Sequence, residues 1–323
     1  MSFTNICTRI LPPASLVAAM AGGLAQAQEI STAAAVTAAR WADRVTITVD
    51  GTSFRFESDG LPDHPLAKAY LVPVGQEQPF TDFEIKPTEG FVVADPINAT
   101  IPLFPVYTDT MTPTSLGMIG VMISGAPLFN DYENPERSMV AMDDQHIQDG
   151  VGFLDTCNGH PLQRGNSYHY HASPPCVTKT VDAAGSHSAM IGVLLDGFPI
   201  YGPQGDAGVV VTNADLDECS GHTGATPEFP GGIYHYHLTT EEAPYSIDCY
   251  HGVVDASVTT RVGGPGGAPP DFAAIAAELG VSQHALIDAL GAQRPPDFDA
   301  AAAILGITAQ ALRAAMPPPP PGQ

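Results

Sequence analysis

The chain has 323 residues, with 35 acidic against 12 basic side chains and a net charge of −23 at pH 7. Such a surface repels nucleic acid and anionic membrane and attracts cations. The length suffices for one large or two medium domains with a substantial core.

Residues 1–27 read as a signal peptide. They hold one cation (Arg9), no acid, an apolar stretch from Leu11 to Leu24 and a small-x-small ending at Ala25-Gln26-Ala27. The apolar stretch is short, is broken by Pro12 and Pro13, and has no second span downstream, so no membrane span is expected. Cleavage after Ala27 removes Cys7 and leaves Cys157, Cys176, Cys219 and Cys249, an even set in a periplasmic or secreted compartment that permits disulfides. Pairing Cys157 with Cys176 and Cys219 with Cys249 is one of three connectivities. The competing reading makes these cysteines thiolate ligands.

Residues 28–117 form the N-terminal β region of the main domain. Arg44 to Glu57 alternates around Asp50-Gly51, which predicts a hairpin with a two-residue turn. The apolar runs Gly90 to Ala94 and Ile119 to Ile123 have strand length and are bounded by turn residues.

Residues 118–260 contain an internal repeat. Met118 to Phe129 aligns without a gap on Met190 to Tyr201, with six identities in twelve. Leu154-Asp-Thr-Cys-Asn-Gly-His160 then pairs with Leu216-Asp-Glu-Cys-Ser-Gly-His222, Tyr168-His-Tyr-His171 with Tyr234-His-Tyr-His237, and Cys176 with Cys249. Residues 118–178 and 190–252 therefore read as two copies of one unit. The predicted fold is mainly β: a duplicated β-rich module with internal pseudo-two-fold symmetry, followed by a small all-α repeat tail. A Gly/Pro linker (261–269) leads to two helix hairpins (270–316), in which Gly280 and Gly306 end helices while Ser282 and Thr308 cap the next ones. The tail is acidic, which argues against nucleic acid and leaves a docking role toward an unidentified protein partner. Residues 317–323 are a solvated proline-rich end.

On a strand alternate side chains share a face, so His169 and His171 lie on one face, roughly 7 Å apart at Cβ, with Tyr168 and Tyr170 on the other. His235 and His237 repeat the pattern against Tyr234 and Tyr236. A two-fold relation between the copies predicts that the four imidazoles converge on one transition metal, and neutral imidazole suits copper or zinc. His160 and His222 either join as ligands or cap their own turns. Asp155 and Asp217 either orient imidazoles or cap turns. His64, His187 and His251 are isolated and read as structural, with His64 and His251 the better outside candidates for the site, and the four tyrosines read as packing residues.

With both tetrapeptides, Gly60-Leu-Pro-Asp-His64, Asp196-Gly-Phe-Pro-Ile-Tyr-Gly-Pro203 and Leu216 to His222 in view, the chain resembles the YHYH family of exported proteins over about residues 40 to 255. The resemblance implies export and the limits of the domain, and it brings no catalytic residues. Ser124 stands where the second copy has Asp196, so the halves differ.

The leading expectation is an exported metal-binding protein, copper ahead of zinc, with His169, His171, His235 and His237 as ligands and His160 and His222 beside them. An open coordination position would support oxidation with copper or hydrolysis with zinc-bound water. The alternative is a non-catalytic interaction or matrix module with a buried Tyr/His network and an acidic surface that attracts calcium. An ordinary imidazole titrates near 6.5, so metal release is expected below about pH 6.

Overall fold

The computed structural model describes residues 30–75, 80–132, 137, 140, 146–241, 247–254, 272–281, 285–286, 289 and 298–316. The expected signal peptide, the linker, the proline-rich end and Ser282 lie outside the described residues. Among the described residues no helix is long and apolar enough to cross a membrane.

The main body is mainly β, as its Gly, Pro and strand-length apolar runs predict. A short helix, α1 (Ala33–Ala38), precedes strands β1 (Thr46–Asp50) and β2 (Ser53–Ser58). These two form the expected hairpin, but Asp50 pairs with Ser53, so the two loop residues are Gly51 and Thr52, one position later than predicted. Gly51 takes a φ of 60°, which suits a glycine at the first position of such a loop. β5 (Ile97–Pro102) adds to β2, and β3 (Ala69–Pro73) pairs with β4 (Phe83–Pro87).

The run from Gly90 to Ala94 is not a strand. The Val92 amide turns back to the Thr88 carbonyl and the Val93 amide donates to the Gly165 carbonyl, so these amides find acceptors without a ladder.

The centre of the fold is an eight-stranded sheet built from β7 (Met118–Met122), β8 (Pro127–Phe129), β11 (Gly159–His160), β12 (His169–Tyr170), β13 (Met190–Leu194), β14 (Pro199–Tyr201), β15 (Gly221–Gly224) and β16 (Ile233–His237). Its order is β11-β12-β8-β7-β13-β14-β16-β15. The hairpins β7–β8 and β13–β14 meet at an antiparallel β7–β13 contact, and each tetrapeptide strand lies parallel to the outer strand of its hairpin. Close approach of β7 to β13 needs glycine: a Cβ on Gly120 or Gly192 would fall within 3 Å of the facing strand's carbonyl. β9 (Ile147–Gln148) and β10 (Val151–Gly152) form a small hairpin ahead of β11. β17 (Cys249–Gly252) pairs with β6 (Tyr107–Pro113), tying the end of the repeat region back to the N-terminal region. One apolar core, including Phe54, Phe56, Ile119, Val121, Leu128, Ile191, Val193 and Ile200, runs beneath these sheets.

The tail contains α3 (Phe272–Leu279), α4 (Phe298–Leu305) and α5 (Ala309–Ala315). Gly280 (φ 69°) and Gly306 (φ 68°) sit past the helix ends, and the Thr308 hydroxyl accepts from the Ala311 amide as a cap. Ile275, Leu286, Ala301 and Leu312 form a separate small core there.

Candidate metal centres

β12 presents His169 on one face, and its antiparallel partner β11 places His160 directly opposite. Two residues on, His171 returns to the same face. The three Nε2 atoms converge: His160 to His171 is 3.1 Å and His169 to His171 is 2.9 Å. His169 Nδ1 donates to the Ser167 carbonyl at 2.7 Å and His171 Nδ1 to the Asn130 carbonyl at 2.6 Å. All three rings are buried, with Phe129 stacked on His169 at 3.8 Å between centroids and Phe153 edge-on to His160 at 4.3 Å. Burial holds His160 and His169 well below the ordinary imidazole value and brings His171 down to about 4, so the rings are neutral near pH 7.

The same geometry recurs at the other end of the sheet. β15 sets His222 opposite His235 of β16, and His237 follows on the same face. Nε2 of His235 is 3.0 Å from that of His222 and 3.1 Å from that of His237. Nδ1 of His235 donates to the Ile233 carbonyl at 2.9 Å and that of His237 to the Gly202 carbonyl at 2.6 Å. Burial lowers His235 and His237 to about 3 and also lowers the half-buried His222. A fourth ring joins from the loop before β13: His187 lies 5.3 Å from the His235 ring and 5.1 Å from the His237 ring between centroids. One donor atom from each of His187, His222, His235 and His237 lies within 4.8 Å of all the others, as does one from each of His160, His169 and His171.

The short Nε2 to Nε2 distances decide what these clusters can do. A carbonyl oxygen only accepts, so every ring whose Nδ1 meets one carries its hydrogen there and turns a lone pair outward at Nε2. Two neutral lone pairs 2.9 to 3.1 Å apart repel, and a cation between them removes the conflict. Burial disfavours a proton in that role. A metal ion satisfies the same geometry: ligand distances of about 2.0–2.1 Å put tetrahedral nitrogens roughly 3.3 Å apart, a few tenths of an ångström wider than here.

The tyrosine face does structural work. Asp155 accepts from the Cys157 and Gly159 amides and from the Tyr168 and Tyr70 hydroxyls. Asp217 accepts from the Cys219 and Gly221 amides and from the Tyr234 hydroxyl. Both aspartates therefore close the Cys-x-Gly-His turns and do not orient cluster imidazoles. Disulfides Cys157–Cys176 and Cys219–Cys249 staple the turns, with Cα separations of 5.4 and 4.8 Å. Thiolate ligation by these cysteines is thereby removed, and Cys176 sits on helix α2 (Pro175–Val181).

A model of the YHYH protein family matches residues 98–208 and 204–252, a span that contains both clusters and both staples. The chain belongs to the YHYH family. No curated protein and no solved structure matches it.

Within this YHYH chain the six histidines singled out from sequence all lie in clusters, but not in one. The predicted convergence of His169, His171, His235 and His237 is not what the structure shows, because the order β12-β8-β7-β13-β14-β16 puts four strands between the two tetrapeptides. The correct grouping joins each tetrapeptide to its own turn histidine, His160 or His222. His187, read as an isolated structural residue, is instead part of the second cluster. No local pattern marks it: it lies three residues ahead of the second copy, and the position three residues ahead of the first holds Ser115. His64 and His251 stay on the tyrosine face. His64 Nε2 meets the Tyr170 hydroxyl at 2.7 Å, and His251 Nδ1 meets the Thr108 carbonyl at 2.9 Å.

Proposed function

We propose that this protein is an exported metal-binding protein in which each histidine cluster holds one late first-row transition-metal ion, copper ahead of zinc. The observation that carries the reading is the short Nε2 contact between the two tetrapeptide histidines of each cluster, 2.9 Å for His169–His171 and 3.1 Å for His235–His237, between rings whose Nδ1 atoms are occupied by backbone carbonyls, with His160 or His222 3.0–3.1 Å away. Imidazole nitrogen suits copper, zinc and nickel, and among divalent ions copper binds such donors most tightly. Carbonyl anchoring of the distal nitrogen is the usual way a protein fixes the tautomer and aim of a ligand histidine. Export is supported by the charge-poor, apolar residues 1–27 and by two disulfides, which persist in oxidising compartments.

The strand order, which reads the same from both ends of the sheet, supports descent of the two sites from one duplicated unit. The test is metal content of the mature protein, purified from the periplasm without a histidine tag. Two equivalents of copper or zinc are expected. A protein that carries neither, and takes up neither from added salts, sinks the proposal and leaves the Tyr/His network as a structural device of an interaction module.

A further inference from the structure

We infer that the second cluster is a four-histidine site in which His187 supplies the fourth ligand to a divalent ion such as zinc. The inference rests on the metal-binding reading and goes beyond it by assigning a ligand that lies outside both repeat copies and by closing the coordination of one site.

Three observations converge. His187 is 8 % exposed, and its Nε2 is buried with no hydrogen-bond partner, a state that is unfavourable unless something occupies it. Its Nδ1 donates to the Ser188 carbonyl at 2.8 Å, so the free nitrogen is the lone-pair nitrogen. The ring packs edge-on against Tyr201 at 5.0 Å and stands beside His235 and His237, and one of its two nitrogens lies within 4.8 Å of a donor atom of each of the other three histidines.

The loop that carries His187 is held firmly. Ser188 Oγ donates to Asp182 Oδ2 at 3.0 Å, the Ala189 amide to Asp182 Oδ1 at 3.0 Å, and the Ser188 amide to the Gln204 carbonyl at 2.8 Å. The Gln204 amide returns to Ser188 Oγ at 3.1 Å. Asp182 is also the residue that follows α2, the helix bearing Cys176. A side chain fixed this way and left with an unused lone pair is a preorganised ligand, because its ordering cost is met in folding and not on metal arrival. Four neutral nitrogen donors fill the tetrahedral shell that zinc takes in its closed sites.

The experiment compares wild type, His187→Asn and His187→Asp, each stripped of metal and titrated with zinc against a competing chelator. Asparagine keeps the polarity and cannot replace a ligand imidazole, whereas aspartate offers a ligand oxygen. Wild type is expected to bind two equivalents. His187→Asn should keep one at full affinity and lose at least tenfold on the other, and His187→Asp should recover part of that loss. Equal zinc affinity in wild type and His187→Asn overturns the assignment while leaving two-site binding intact. Failure of wild type to bind any zinc or copper is the separate result that overturns the metal reading itself. Nitrogen NMR of the histidine rings in the wild-type protein supplies a check that needs no variant to fold: the His187 Nε2 resonance must move on zinc addition, and a stationary resonance rejects the ligand role.

Discussion

The Tyr236 hydroxyl donates to Asp196 Oδ2 at 2.6 Å, while the matching tyrosine of the first tetrapeptide, Tyr170, meets Ser124 Oγ at 2.9 Å. This difference between the two halves sits on the tyrosine face, behind the clustered histidines, whereas His187 distinguishes them on the histidine face. Asp196 is fully buried and also accepts from the Phe198 and Gly252 amides at 3.0 Å each. Replacing it with alanine orphans a hydroxyl and two amides in the core, at a cost of about 3–5 kcal/mol. Ser124→Ala leaves Tyr170 its contact with His64 and should cost about 1 kcal/mol. Urea unfolding of the two variants checks the asymmetry, and equal losses would contradict it.

The glycine of each Cys-x-Gly-His turn is required by a tyrosine ring. A Cβ on Gly159 would stand 2.6 Å from Tyr168 Cζ, and on Gly221 2.5 Å from Tyr234 Cζ. Neither ring yields easily, because its hydroxyl is held by Asp155 or Asp217 at 2.9 Å. Gly159→Ala and Gly221→Ala should each lose about 1–3 kcal/mol through overpacking. They should also weaken metal binding at the neighbouring His160 or His222 alone. A thermal melt paired with a two-site metal titration reads both effects, and loss at the distant cluster would show that the damage is global.

What could be read from sequence was local. The alternation around Asp50-Gly51 and the glycines closing the tail helices produced the expected hairpin and caps, because turn chemistry acts over a few residues. The aligned cysteines marked the staples because each pair flanks its own tetrapeptide. The grouping of the histidines was not legible, since it depends on which strands lie between β12 and β16, a matter of topology. His187 was invisible for a related reason: its loop is placed by Asp182 and Gln204, and neither carries a recognisable spacing to the tetrapeptide. The run at Gly90 to Ala94 misled because strand-like composition says nothing about where the backbone amides will find acceptors.

The staples should matter to stability and to the sites differently. Closing loops of 19 and 30 residues restricts the unfolded chain by about 3–4 kcal/mol each on a chain-entropy account. Cys219→Ser with Cys249→Ser frees the turn whose Asp217-bound amides aim His222, so affinity at the second cluster should fall along with stability. Cys157→Ser with Cys176→Ser should do the same at the first. Unfolded, unreduced protein should show no reactive thiol from these four positions, and a thiol count above that of Cys7 contradicts the pairing.

The metal-free protein should be sensitive to acid, and the sign follows from the buried rings. His171 is held near 4, and His235 and His237 near 3, against about 6.5 for an imidazole in the unfolded chain. Above pH 6.5 both states leave these rings neutral and they contribute no pH dependence. As pH falls through 6.5 the unfolded chain takes up protons that the folded protein refuses, and stability drops by about 1.4 kcal/mol per ring per pH unit. At pH 4.5 three rings cost about 8 kcal/mol, which is comparable with the whole stability of a domain. Asp196 works the other way, since burial raises it to about 6, so the folded state binds its proton first between pH 6 and 3.8. That single group returns only about 2 kcal/mol by pH 4.5, so the histidines win. Metal-free protein should therefore unfold cooperatively between about pH 4 and 5. Bound metal should move the transition lower by mass action. Release should likewise begin below the pH 6 expected of an ordinary imidazole, because the folded rings compete for protons so poorly. Urea midpoints measured in chelator at pH 7.5, 6 and 5 check this, and a midpoint that stays constant from 7.5 to 5 would mean that the clustered rings are not neutral and buried as described.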